Sequence, residues 1–191
     1  MAGMIDTSEF KKGVFIEVEN VPYKIVEFQH VKPGKGNAFV RTRLHNLLNN
    51  NVIDKTFKSG DKVGEPDLEK KQMQYLYTDG EGYQFMDLAA YEQVMLDKKT
   101  IGDNKYYLVE NLEIEVLYYK GRPIAVQMPN FVELVVTYTE PGIKGDTVSG
   151  GGGKPATMNT GLNVQVPYHI TNNDRLKIDT RDGSYVEKLK N

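Results

Sequence analysis

Val14-Phe15-Ile16-Glu17-Val18-Glu19 is the stretch on which the fold turns. Val14, Ile16 and Val18 alternate with Phe15, Glu17 and Glu19, a period of two that puts one set of apolar side chains on one face of a sheet. The same period continues outward. After a turn near Asn20 and Pro22, residues 23–31 read as a second strand. Residues 38–45 read as a third, with Arg41 and Arg43 on one face, and 52–57 as a fourth after the Asn49-Asn50-Asn51 turn. The expectation is a compact antiparallel module with a basic side.

The pattern breaks over residues 62–67, where Gly64, Glu65 and Pro66 read as a linker or domain entry. Strands resume at 72–77 and 83–86 around Asp79-Gly80-Glu81-Gly82, and 111–119 pairs with 123–128 around Lys120-Gly121-Arg122. Short helices are expected at 91–96 and just before Glu110. A third strand-rich stretch covers 131–139, 156–158, 162–166, 175–180 and 184–188, interrupted by a glycine-rich loop at 142–154. Short, evenly spaced strands with glycine-marked turns predict small barrels or sandwiches, an all-β chain with no sustained heptad. The expected boundaries are 1–64, 65–128 and 129–191. No exact internal repeat is visible, although the second and third segments have similar lengths.

Composition narrows the class. The 191 residues are 39% hydrophobic and 26% charged, as in a soluble globular protein, and contain no cysteine, so disulfides and thiolate metal sites are impossible. The polar N-terminal stretch lacks the apolar core of a signal peptide, and no apolar run reaches the length of a membrane span. A cytoplasmic protein without a membrane partner is expected. The net charge of −2 is uneven: residues 1–64 carry 10 Lys/Arg against 7 Asp/Glu, residues 65–128 carry 7 against 12, and residues 129–191 carry 7 of each. A basic end on a mildly acidic chain orients a molecule on a polyanion, and it is also what an ordinary solvated surface looks like.

Catalytic equipment is missing. His30, His45 and His169 have no partners at metal-site spacing, and neither G-x-S-x-G nor a cysteine nucleophile occurs. Gly153-Lys154 fails as a phosphate loop, because position 148 is Val and Pro155 follows the lysine. No metal or cofactor is expected.

One feature stands apart, Lys32-Pro33-Gly34-Lys35-Gly36 between the second and third strands. Pro33 presets its own φ, and Gly34 is expected to take the positive φ of a type II turn. Lys35 then projects between two residues with no side chain, offering an amine with three donors and no acceptor. The same residues also describe an ordinary hairpin turn with a solvated lysine.

The stretch Phe28-Gln29-His30-Val31-Lys32-Pro33-Gly34-Lys35-Gly36 with Ala38-Phe39-Val40-Arg41 resembles the signature loop of the elongation factor P family. Glu140-Pro141-Gly142-Ile143-Lys144-Gly145-Asp146-Thr147, Lys154-Pro155-Ala156-Thr157 and the tail Asp179-Thr180-Arg181-Asp182-Gly183-Ser184-Tyr185-Val186 are similar to its C-terminal signatures. The resemblance covers essentially the whole chain. It implies three β-barrels, SH3-like and then two OB-folds, in an elongated L-shaped outline of tRNA size. It implies a monomeric, non-enzymatic factor that binds the ribosome between the P and E sites and relieves stalling at consecutive prolines. Lys35 matches the tip lysine that many members modify, so it is a candidate for covalent modification by a separate lysine-modifying enzyme and for contact with the CCA end of peptidyl-tRNA. Lys32, Pro33, Gly34 and Gly36 form the tip, and Arg41 and Arg43 are candidates for tRNA phosphate. Gly145, Asp146 and Thr147 match the loop placed near mRNA at the E site, and Tyr185 is a candidate small-subunit or tRNA contact. The chain departs from the family pattern at His169 and in the length of the Gly150-Gly151-Gly152-Gly153 run. The competing reading is a general single-stranded nucleic-acid-binding protein built on OB-folds, with no ribosomal role.

Overall fold

The structure, a computed structural model, describes residues 3–142 and 152–190. Its first sheet comprises β1 (Met4–Asp6), β2 (Phe15–Val18), β3 (Val21–Val31), β4 (Phe39–Asn46), β5 (Val52–Lys58) and β6 (Lys62–Gly64), in the order β1-β6-β2-β3-β4-β5. Alternation does what the sequence demands: Ile16, Ile25, Val40 and Leu44 are buried and form one core with Phe10, Phe57 and Val63. Phe10 meets Phe57 edge to face at 5.3 Å. Glu19 and Asn20 both take positive φ, 52° and 63°, and reverse the chain between the paired Val18 and Val21. The β2–β3 turn is therefore Glu19-Asn20, and Pro22 lies inside β3 rather than in the turn.

Two short strands were not legible. Residues 62–64, expected to begin a linker, form β6, which pairs with β1 through Ile5↔Val63 and with β2 through Glu17↔Gly64. Each of these strands is three residues long, too short for alternation to register, and long-range pairing rather than local pattern defines them.

The second sheet comprises β7 (Leu68–Thr78), β8 (Tyr83–Asp87), β9 (Gln93–Leu96), β10 (Glu113–Tyr119) and β11 (Arg122–Gln127), in the order β11-β10-β7-β8-β9. Between β9 and β10 lie a single α-helical turn, α1 (Lys98–Ile101), and a 3-10 helix, Gly102–Tyr107, which together meet the expectation of a helix before Glu110. The helix expected at 91–96 is instead β9. Asp87 holds the preceding turn by accepting from the backbone N–H groups of Ala89 and Ala90, and Tyr91 sits at φ 56°. That geometry returns the chain antiparallel to β8, with Phe85 opposite Val94 and Tyr83 opposite Leu96.

The third sheet comprises β12 (Phe131–Thr139), β13 (Lys154–Met158), β14 (Asn163–Val166), β15 (Arg175–Asp179) and β16 (Ser184–Lys188), in the order β14-β13-β12-β15-β16. Numbered from its own first strand, each of the last two sheets reads 3-2-1-4-5. The similar lengths noted in the sequence thus correspond to one repeated topology. Val132, Leu134, Val136, Leu176 and Ile178 build the core of the third sheet from strict alternation. Lys154 is buried there, and its ammonium donates to the Glu140 carbonyl at 2.5 Å, so this lysine anchors a strand end.

By packing, the chain up to Lys70 forms one compact unit together with Leu117–Ala125, the tip of the β10–β11 hairpin. Within that unit Leu47, Tyr119 and Ile124 share a small buried cluster, and the Tyr119 hydroxyl donates to Glu17 at 2.9 Å. Lys71–Val116 and the chain from Val126 onward form the other unit. Among the described residues no helix is long and apolar enough to cross a membrane.

Ile16 is fully enclosed, so Ile16→Ala should lower unfolding free energy by about 3 kcal/mol. Tyr91, 78% exposed, should tolerate Ala within about 0.5 kcal/mol. Urea unfolding of both variants checks the pair.

Candidate functional site

The β3–β4 ladder runs out to Val31↔Phe39, and one residue further the Ser59 N–H donates to the Ala38 carbonyl at 3.0 Å. β4 is flanked on its other side by β5, paired as far as Phe39↔Lys58, so the base of the loop is clamped from both sides. Residues 32–37 then cross without regular structure, all of them exposed. Lys35 stands at the middle of this span, with no ion pair or hydrogen bond among the described residues.

The expected type II turn does not form. Gly34 is not in the left-handed region, whereas Gly36 is, at φ 103°. With the ends pinned at Val31 and Ala38, the reversal is spread over six residues, and the left-handed step falls after Lys35 instead of before it.

Cross-strand register sets the electrostatics below the tip. Three rows share one face of the β3-β4-β5 sheet: Val31, Phe39 and Lys58; Gln29, Arg41 and Thr56; Glu27, Arg43 and Asp54. In the outermost row Lys58 is the single charge, and in the middle row Arg41 has only neutral neighbours. In the innermost row Arg43 lies 3.8 Å from Glu27 and 3.6 Å from Asp54, with all three side chains exposed. Arg41 stacks over the Phe39 ring at 5.4 Å, which orients the guanidinium without neutralising it. The two arginines that the sequence treats alike are therefore different: Arg41 is an available cation, and Arg43 is already shared between two carboxylates.

A concavity of about 690 Å³ lies over these strands, lined by Phe28, Gln29, Arg41, Lys55 and Thr56 together with the Arg43 row. Phe28 is 39% exposed and meets His30 edge to face at 5.7 Å. Lys55 and Lys58 belong to the basic concentration visible in the sequence over residues 28–58, but which neighbours they and Thr56 meet is set by register across three strands and is not legible locally.

The remaining sequence candidates are scattered. Tyr185 pairs with Ile178 and packs, half-buried, against the third core. Gly145, Asp146 and Thr147 lie outside the described residues. His45 pairs with Lys24 and Val52, and His169 is exposed in a turn. Among the described residues no group of three His, Asp or Glu side chains is arranged to hold a metal ion.

Comparison with known proteins aligns with these boundaries of sheet and loop. The family model for the elongation factor P KOW-like domain matches residues 6–63, that for the elongation factor P OB domain matches 68–126, and that for the elongation factor P C-terminal domain matches 132–188. Elongation factor P of Pelotomaculum thermopropionicum is 51% identical over 186 residues, covering 97% of this chain and 100% of its own length. That of Thermodesulfovibrio yellowstonii is 51% identical over 187 residues, covering 98% and 100%. Among solved structures, the eukaryotic translation initiation factor 5A from Methanococcus jannaschii superposes with a TM-score of 0.51 at 24% identity, over 66% of this chain and 95% of that one, a likeness of fold alone.

A Cβ added at Gly34 meets nothing within 4 Å, whereas Gly36 holds a backbone angle that L-residues adopt at a cost. Gly36→Ala should lower stability by about 1 kcal/mol and shift the amide resonance of Lys35. Gly34→Ala should change stability by less than about 0.5 kcal/mol, read by the same denaturant titration and amide spectrum.

Proposed function

The chain belongs to the elongation factor P family, and on that premise we propose that it binds the ribosome between the P and E sites and positions the CCA end of peptidyl-tRNA through Lys35. The observation that carries this reading is an unpaired, exposed amine at the end of a doubly clamped hairpin. From the Val31–Phe39 rung, four extended residues reach at most about 13 Å to Lys35 before its own side chain begins. Flanked by Gly34 and Gly36, the tip is narrow enough for a cleft that a bulkier loop would not enter.

The chemistry of peptide-bond formation is the ribosome's. Proline is a constrained nucleophile and a poor donor, and a terminal donor group that holds the tRNA end lowers the entropic part of the barrier by restoring approach geometry. Lys35 supplies three N–H donors for that task, and modification by a separate enzyme lengthens its reach. Lys32 and Arg41 meet phosphate along the approach, as cations without an acid beside them in their row or loop, and Lys58 adds to them although the Asp61 carboxylate accepts from its backbone N–H. Arg43 contributes less, since Glu27 and Asp54 offset it. Gly145, Asp146 and Thr147 are proposed to approach mRNA at the E site, with the exposed part of Tyr185 as a further RNA contact. The factor acts as a monomer in the cytoplasm and has no catalytic group of its own.

Lys35→Ala should abolish rescue of Pro-Pro-Pro synthesis in a reconstituted translation assay while weakening ribosome binding only modestly; undiminished rescue overturns the role of the tip. Arg41→Ala should reduce the slope of log K against log salt for ribosome binding by about 0.7 to 0.9, the value of one lost phosphate contact, and Arg43→Ala by clearly less. Equal slopes for the two variants would refute the assignment of Arg41 as the principal contact.

A further inference from the structure

Within the second unit, β7, β8, the 3-10 helix Gly102–Tyr107 and the turn after β13 enclose a separate cleft of about 530 Å³. That volume falls in the range, roughly 300–1,000 Å³, of small-molecule sites. Its walls are aromatic: Tyr75, Tyr83 and Tyr106 all line it. Tyr75 is nine-tenths buried, its ring packed against Phe85 at 5.4 Å and Tyr83 at 6.5 Å, yet its hydroxyl has no hydrogen-bond partner among the described residues. Burial raises the pKa of that hydroxyl, so it faces the cleft as a neutral donor and acceptor. Among the described residues no buried side-chain oxygen is left without a partner, so the Tyr75 hydroxyl is reached by solvent, at a residue that lines the cleft.

At the rim, Lys105 and Glu110 are both exposed, and Lys105 lies over the Tyr106 ring at 4.9 Å. The wall is held across two modules, because the Thr160 hydroxyl donates to the Tyr106 carbonyl at 2.6 Å. Aromatic side chains, one cation, one carboxylate and a solvent-accessible hydroxyl describe a particular ligand chemistry. It is a planar heterocycle with N–H donors for Glu110 and a single anionic group for Lys105. Several phosphates would not suit a rim where one acid accompanies one base.

We propose that this cleft binds one amino-bearing nucleotide unit, a guanosine monophosphate moiety, packed against Tyr83 and Tyr106 with its phosphate at Lys105, its base amino edge at Glu110 and the Tyr75 hydroxyl at its edge. The unit is supplied either as free nucleotide or as an unpaired residue of RNA. Uracil, which offers no amino group, binds more weakly. The site is independent of Lys35 and goes beyond the role proposed for the tip.

The test is a titration of the isotopically labelled full chain with GMP, with UMP and with the pentamer r(UUGUU), followed by amide shifts. Expected are saturable GMP shifts at Tyr75, Tyr83, Tyr106 and Thr160, roughly tenfold weaker binding of UMP, and roughly tenfold loss of GMP affinity in Tyr106→Ala, in line with the loss of one stacking partner. Since Tyr106→Ala removes packing, the surface pair Lys105→Ala and Glu110→Gln serves as a second probe, and each should weaken GMP with the spectrum otherwise unchanged. Tighter binding of the pentamer than of GMP identifies RNA as the source, and the reverse identifies free nucleotide. Shifts confined to Arg41 and its neighbours, equal affinity for UMP and GMP, or undiminished binding in both surface variants overturns the site. Lys35→Ala should leave the GMP titration unchanged, which separates failure here from failure of the tip.

Discussion

The antiparallel ladder between β3 and β4, clamped on its far side by β5, is the constraint on which the site depends. A lysine on a free loop spends its time in many conformations, and each contact it makes must first overcome that entropy. Here the backbone is paired on both sides of β4 out to Phe39, and Ser59 fixes Ala38 beyond it. Only residues 32–37 remain to be ordered on contact. The ladder is interrupted once, by a bulge between Ile25 and Glu27. Below the bulge Ile25 faces the core, and above it the strand carries an exposed surface at Phe28, Gln29 and His30. A bulge changes which residues face which side: above this one β3 is exposed at Phe28, Gln29 and His30, while β4 and β5 still supply Val40 and Phe57 to the core.

The exposed face of the β3-β4-β5 sheet has a graded charge. The innermost row sets Arg43 between two carboxylates, the next sets Arg41 between neutral residues, and the outermost carries Lys58 alone, after which Lys32 and Lys35 follow in the loop. Positive potential therefore increases toward the tip. In the role proposed above, attraction to a polyanion would act most strongly at the tip, and least at the row where Arg43 is balanced by two carboxylates.

How much of this was legible depended on whether the determinant was local. Strands long enough to alternate, such as those at Ile16, Arg41 and Leu134, were readable because burial imposes a period of two. The loop position of Lys35 was readable because glycine and proline mark a break between strands. The tip geometry was not: proline followed by glycine favours a type II turn in isolation, but the pinned separation of Val31 and Ala38 moved the positive φ to Gly36. β6 and β9 escaped for a related reason. Val63 and Val94 become strand residues only because distant partners, Ile5 and Phe85, offer them a ladder. The difference between Arg41 and Arg43 is of the same kind, since Glu27 and Asp54 are neighbours only through register.

The two five-stranded sheets carry the same argument one level higher. They share the order 3-2-1-4-5 but differ in how the third strand connects to the fourth. In the second sheet the connection is helical, Lys98–Ile101 and Gly102–Tyr107; in the third it is a turn that brings Ile170 into the core and caps Thr171 with Asp174. The helical connection is what delivers Lys105 and Tyr106 to the wall that Thr160 completes. A repeated barrel need not repeat its surface, because topology is fixed by strand pairing whereas the connections are free to vary. The tyrosine cleft arises where one copy's connection meets the other copy's turn. It is therefore a property of the pair, one that neither barrel nor any single stretch of sequence contains.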